Sequence, residues 1–186
     1  MLVRADVNPE PQATPDFYKN ANGDYVFSLE MVEVPGPNGT LKVNRTVTLV
    51  LKYEKQANQS EAATACNDTG STLFVSLDAA DLRQLNGVVS AALRDEKCFD
   101  TFSGWVKLGG HRYTPGVWMA PAVSYRGTAL GRPGMNISID SVNGAPLEID
   151  GDCLHLINWS NLQYSGFLYW ATCDKGSYAC VKSTVV

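Results

Sequence analysis

"STLFVSLDAADLRQLNGVVSAALRDEKCF", residues 71–99, runs from a strand-like apolar stretch directly into an amphipathic helix. Asp78 has the chemistry of an N-cap, and Asp81 falls in the first turn, where a carboxylate favours the positive end of the helix dipole. Leu82, Leu85, Val89, Ala92 and Leu93 recur at helical spacing and make one apolar stripe. Arg94 and Lys97 suit the C-terminal end, while Gly87 weakens the centre by about 1 kcal/mol relative to alanine. Such a stripe must lie on another apolar surface, and its cover decides the fold.

The nearest candidate cover is "LKVNRTVTLVLKYEKQ", residues 41–56. Val43, Val47, Leu49, Leu51 and Tyr53 alternate onto one side of a strand, with Arg45 on that side against the pattern. Lys42, Asn44, Thr46, Thr48 and Lys52 make the other side polar and partly basic. Upstream, residues 1–24 read as an irregular Pro- and Asn-rich arm, and Tyr25 to Val34 as a strand ending at the turn "PGPNG". Residues 56–70 read as a polar loop, and 72–77 as a second strand. Beyond Trp105 the chain is punctuated by "GG", "PG", "RPG" and "NG", with "NISIDSV", "LHLINW" and "FLYWATC" as short strands. The NG at 143–144 and the segment "CDKGSYAC" both predict hairpins.

The expected architecture is therefore α+β and mainly β. An antiparallel sheet covered by one central amphipathic helix occupies residues 1–105, and a small all-β sandwich or barrel occupies 106–186.

Bulk composition agrees with a packed protein: 45% of the 186 residues are hydrophobic and 18% charged. The net charge of −4 argues against coating nucleic acid over the whole surface, but leaves room for a local basic face. Arg4, Asp6 and Glu10 stand where a secretory signal needs an apolar core, and no run approaches the roughly 18 apolar residues of a membrane span.

The five cysteines, Cys66, Cys98, Cys153, Cys173 and Cys180, contain no CxxC pair, so their spacing does not predict a zinc site. Cys173 and Cys180 flank a turn and would face each other across a hairpin. Buried idle thiols are the plainer reading. Cys66 lies in the polar stretch, where a thiol can bridge subunits. Six N-x-S/T sequons, at Asn38, Asn44, Asn58, Asn67, Asn136 and Asn158, raise a rival reading as a secreted or envelope glycoprotein.

Catalytic chemistry has little foothold. The two histidines are His111 and His155. Cys153 and His155 fall on one side of a strand, which gives a small hydrolase its one concrete form, but nothing marks an orienting third group. Glu148, Asp150 and Asp152 make an acidic turn with an incomplete calcium-ligand pattern. No catalytic residue, metal or cofactor is expected, and the chain reads as a non-enzyme.

The order strand, cysteine-bearing loop, strand, Asp cap and amphipathic helix resembles the coat proteins of single-stranded RNA bacteriophages. The likeness spans about residues 41–105 and includes "TVTLVLKYEKQ", "ANQSEAATACNDTG" and "CFDTFSGW". It implies a capsid subunit whose homodimer shares a sheet, each helix covering the partner through Leu82, Leu85, Val89, Ala92 and Leu93. It further implies that Lys42, Asn44, Thr46, Thr48 and Lys52 face genomic RNA, and that Cys66 bridges subunits. The expected location is the virion, assembled in the host cytoplasm and without membrane contact. The alternative is a secreted or viral envelope module with a receptor-binding β-sandwich.

Overall fold

The computed structural model describes residues 14–52, 59–74, 79–97, 104–114, 117–119, 153–158, 167–171 and 176–186. In chain order the elements are β1 (Phe17–Lys19), β2 (Tyr25–Ser28), β3 (Val32–Gly36), β4 (Gly39–Val50), α1 (Gln59–Asp68), β5 (Thr72–Leu73) and α2 (Ala79–Asp95). β6 (Trp105–Thr114), β7 (Val117–Met119), β8 (Cys153–Ile157), β9 (Phe167–Ala171) and β10 (Ser177–Val185) follow. Asp78, the acidic turn at Glu148–Asp152, the NG hairpin, Tyr53 and the sequons at Asn58 and Asn136 lie outside the described residues.

The chain is mainly β, and its described residues form one mixed sheet and two helices. The sheet's main path runs β1-β2-β4-β10-β6-β8-β9, and β3, β5 and β7 pair with β4, β10 and β6 in turn. All pairings are antiparallel except β10 with β6. The last strand therefore lies in the middle. β10 pairs along β4 from Tyr178↔Val50 to Val185↔Val43, and on its other side meets β5 and β6.

This placement carries the sheet across the expected boundary at 105/106. The strands described after Trp105 extend the first sheet and do not form a second layer. The expected hairpin around "CDKGSYAC" is likewise absent among the described strands, because β9 pairs with β8 while β10 inserts between β4 and β6.

Strand periodicity explains the two faces. Val47 and Leu49 point to one side with their cross-strand partners Phe27, Tyr25, Val181 and Ala179, and α2 lies on that side. Leu82, Leu85, Val88, Val89, Ala92 and Leu93 enter one buried cluster with these residues and with Val106, Leu108, Leu154 and Leu156. Burying a leucine or valine side chain is worth about 1.5–3 kcal/mol, so the stripe is a principal source of stability.

The stripe is thus covered by the chain's own sheet. The expectation that Leu82, Leu85, Val89, Ala92 and Leu93 pack against a second copy is corrected: these residues are already out of solvent in one chain. The physical reason is β10, whose Ala179 and Val181 widen the apolar floor beyond what β4 alone offers.

Two details of α2 follow from its neighbours. Gly87 sits where a Cβ would approach Thr14 Oγ1 to 2.9 Å, so the absence of a side chain lets the N-terminal segment cross the helix closely. Arg45, the misfit of the apolar strand face, meets Asp81, a carboxylate on the buried side of the helix.

Candidate binding face and its supports

The second face of the sheet is divided in two. Over one half lies α1, whose small residues Ala62 and Cys66, four apart and so on one helical face, pack on Leu73, Tyr178 and Cys180. Cys66 is disulfide-bonded to Cys180, with an S–S distance of 1.99 Å and a Cα–Cα distance of 5.4 Å. The bond pins the helix to the central strand within one chain. The expected inter-subunit role of Cys66 is corrected accordingly, and so is the pairing of Cys180 with Cys173. The polar stretch read as a loop is in fact the helix α1.

The other half of this face is open. Asn44 and Thr46 of β4 stand beside Thr184 and Lys182 of β10, with Ser28 of β2 beyond and Glu33 of β3 opposite Lys42. All seven side chains are exposed. Neither Lys42 nor Lys182 forms an ion pair among the described residues. The end of α1 borders this surface, since Lys182 Nζ lies 3.9 Å from where a Cβ on Gly70 would stand.

The five residues expected to face RNA are therefore not one platform. Lys42, Asn44 and Thr46 share the open half. Thr48 is partly buried, level with Cys180 and so beside the staple. Lys52 lies beyond Val50, the end of β4, which is itself roughly 26 Å along the strand from Lys42 at about 3.3 Å per residue. It is also partly buried, its backbone N–H donates to Ser177 Oγ at 3.0 Å, and its charge acts on Asp24. Burial pushes the Asp24 carboxyl up, against the pull of the Asn20 hydrogen bond and of Lys52. The split arises because α1 covers the half of the face around Cys180 and leaves the half around Lys182 and Thr184 open.

Two polar clusters hold the scaffold behind this surface. Arg45 is 3% exposed and Asp81 2%. The guanidinium grips the carboxylate with both terminal nitrogens, Nη2 donating to Oδ1 at 2.8 Å and also to the Glu30 carbonyl at 3.1 Å. Arg45 Nε has no hydrogen-bond partner among the described residues. This bidentate pair ties β4 to the first turn of α2.

At the other end of the helix, Tyr25 Oη donates to Asp95 Oδ2 at 2.6 Å and Glu96 Oε1 at 2.8 Å. Lys19 bonds Glu96, lies 3.5 Å from Asp95 and sits 5.2 Å from the centre of the Tyr25 ring. The Tyr25 phenol is held well above its ordinary range, first by burial and then by the two carboxylates it donates to. Asp95 is held low chiefly by the Tyr25 hydrogen bond, Glu96 chiefly by Lys19, and Lys19 is raised chiefly by Glu96.

The hydrolase geometry dissolves. Cys153 is disulfide-bonded, so it holds no thiol nucleophile. His155 is buried with Nδ1 3.0 Å from the Cys153 carbonyl oxygen. No group of three acidic, cysteine or histidine side chains able to hold a metal occurs among the described residues. No helix among them is long and apolar enough to cross a membrane.

No family model matches the chain, and no curated protein sequence does. Among solved structures, ovocleidin-17, titled a major protein of the Gallus gallus eggshell calcified layer, is similar over 82% of this chain and 96% of that one. The identity is 18% and the TM-score 0.43, below the level from which a shared fold or role follows.

Proposed function

We propose that the chain is a secreted or envelope-displayed recognition module, which binds a partner through the open half-face at Lys42, Asn44, Thr46, Lys182 and Thr184. The observation that carries this reading is the Cys66–Cys180 bond, which joins α1 to the central strand across 114 residues. Disulfides of this kind form and persist in oxidising compartments and are rare where thiols are kept reduced. Exposed sequons away from the binding residues, at Asn38 and Asn67, support the same location. The surface itself supports binding: two lysines outside any ion pair among the described residues stand among short hydrogen-bonding side chains, on a sheet whose opposite face is used by the core.

The test is the redox state of protein isolated from its natural source under thiol-blocking conditions. Peptide mapping is expected to find Cys66 linked to Cys180. Recovery of both as free thiols would remove the reading.

A homodimeric coat subunit enclosing genomic RNA is the second reading. It is favoured by one observation, the exposure of Lys42, Asn44 and Thr46 on a single face. Its dimer contact has to be somewhere other than the helix stripe. Light scattering of the purified chain decides it: particles containing RNA support it, and a monomer without RNA ends it.

A further inference from the structure

The four described sequons stand in unequal surroundings. Asn38 lies in the β3–β4 turn and Asn44 on β4, both exposed, and Asn67 is exposed near the end of α1. Asn158 is 1% exposed. Its Nδ2 lies 2.6 Å from Asn86 Oδ1, 3.2 Å from the Asn86 carbonyl and 2.7 Å from Ser90 Oγ, so the amide fastens the end of β8 to α2.

We propose that Asn67 is an N-glycan attachment site filled before the fold closes, whereas Asn158, equally a sequon in sequence, stays empty. The proposal rests on the secreted reading. The reaction transfers an oligosaccharide from a lipid-linked diphosphate donor. Asn67 Nδ2 loses one proton and bonds to the anomeric carbon, while that carbon's bond to the diphosphate oxygen breaks and the lipid diphosphate leaves.

Timing follows from the topology. In the folded chain Asn67 is helical, and the hydroxyl of Thr69, which completes the sequon, donates to the Cys66 carbonyl at 2.8 Å. The segment must therefore be modified while still open. Leu73 of its cover follows within a few residues, but Tyr178 and Cys180 are on the last strand. A helix of 10 residues without tertiary support is marginal in water. Cys180 follows Cys66 by 114 residues, which at about 5–20 residues per second is about 6–23 s of synthesis during which α1 lacks the part of its floor that β10 supplies.

After closure Asn67 is exposed, its backbone carbonyl accepting from the Gly70 N–H at 2.9 Å, and a glycan on its side chain displaces no core atom. At Asn158 a glycan would replace a donor hydrogen used inside the protein, and a bulky polar group cannot enter that site. Molecules modified there cannot seat β8 against α2.

The experiment expresses the full chain through a eukaryotic secretory pathway and reads site occupancy by peptide mass spectrometry after enzymatic deglycosylation, with disulfides mapped on the same sample. Most Asn67 is expected to carry a glycan and Asn158 none. Asn67→Gln should remove one glycan's mass and leave the Cys66–Cys180 bond intact. Cys180→Ser, which keeps the segment open longer, should leave Asn67 occupancy equal or higher. An empty Asn67 or an occupied Asn158 in secreted, disulfide-bonded protein overturns the proposal, as does a fall in occupancy with Cys180→Ser. Free Cys66 and Cys180 in the same sample would instead count against the secreted reading, so the two failures are distinguishable.

Discussion

Asp81→Ala removes the carboxylate that pairs with Arg45 among the described residues and leaves the guanidinium in a site where the residue is 3% exposed. Among the described residues, the Glu30 carbonyl, at 3.1 Å from Nη2, then remains as the hydrogen-bond partner, and Nε has none. Breaking a buried pair by deleting one member costs about 3–5 kcal/mol, because an unpaired charge stays in a low-dielectric site. Against a domain stability of about 5–15 kcal/mol, that loss is a large fraction. Replacing both members, as in Arg45→Met with Asp81→Leu, removes the desolvation cost and the attraction together. The double variant is expected within about 1 kcal/mol of the parent, or above it.

Urea unfolding followed by tryptophan fluorescence, with disulfides intact, measures the difference. With a slope of about 2 kcal/mol/M, Asp81→Ala should lower the midpoint by about 1.5–2.5 M. The reasoning is refuted if Asp81→Ala costs less than about 1 kcal/mol, the level of an exposed pair. It also fails if the double apolar variant is as unstable as the single one, since the pair would then be adding net stability.

Two further outcomes are expected. Cys66→Ser/Cys180→Ser should lose about 4 kcal/mol from opening a loop of 114 residues, a Tm fall of about 8–16 °C by calorimetry. The cluster at the end of α2 should give stability a plateau. Asp95 and Glu96, held low, contribute above their ordinary values near 3.8 and 4.5, and this is lost as pH falls through the folded-state values. Lys19 and Tyr25, held high, contribute below about 10.5 and 10, and this is lost as pH rises through theirs. Amide exchange at Asp95 and Glu96, corrected for intrinsic rates, should show both flanks, and Tyr25→Phe should weaken the alkaline one.

The local parts of the fold were legible and the long-range ones were not. The stripe of α2 and the alternation of β4 are spacing patterns, and both appear in the structure at Ala79–Asp95 and Gly39–Val50. Arg45 was readable as a misfit on the apolar strand face. Asp81 shares a helical side with Leu85 and Val88, so it too stood among buried positions, although its place in the first turn suggested the dipole alone. Two opposite charges on two facing apolar surfaces are a signal for a buried pair. α1 escaped because its inward face is built of Ala62 and Cys66, too small to mark a stripe among polar residues. One clue was available, the four-residue spacing of those two with Gly70 after them, which adopts φ +71° just past the helix. Of the candidate binding residues, Lys42, Asn44 and Thr46 stayed together because a strand fixes their side. Lys182 and Thr184 were invisible, since their neighbours are set by a pairing across more than 100 residues of chain.

That same pairing governs whether residues 1–105 fold alone. Their strands β2 and β4 supply one edge of the floor under α2, but Ala179, Val181, Val106, Leu108, Leu154 and Leu156 supply the rest. A fragment ending at residue 105 keeps the whole stripe of α2 and loses much of its cover, together with every partner that β4 has on β10. It also loses Tyr178 and Cys180, so α1 keeps only Leu73 and Val50 of its floor and has no staple. Exposing even two buried leucines or valines costs about 3–6 kcal/mol, comparable to a small domain's entire stability. The fragment is therefore expected to lack a cooperative unfolding transition and to show narrow amide dispersion by NMR. A sharp urea transition and native-like dispersion would mean that β10 is an addition to a core already finished without it, and that the sheet does not depend on its last strand.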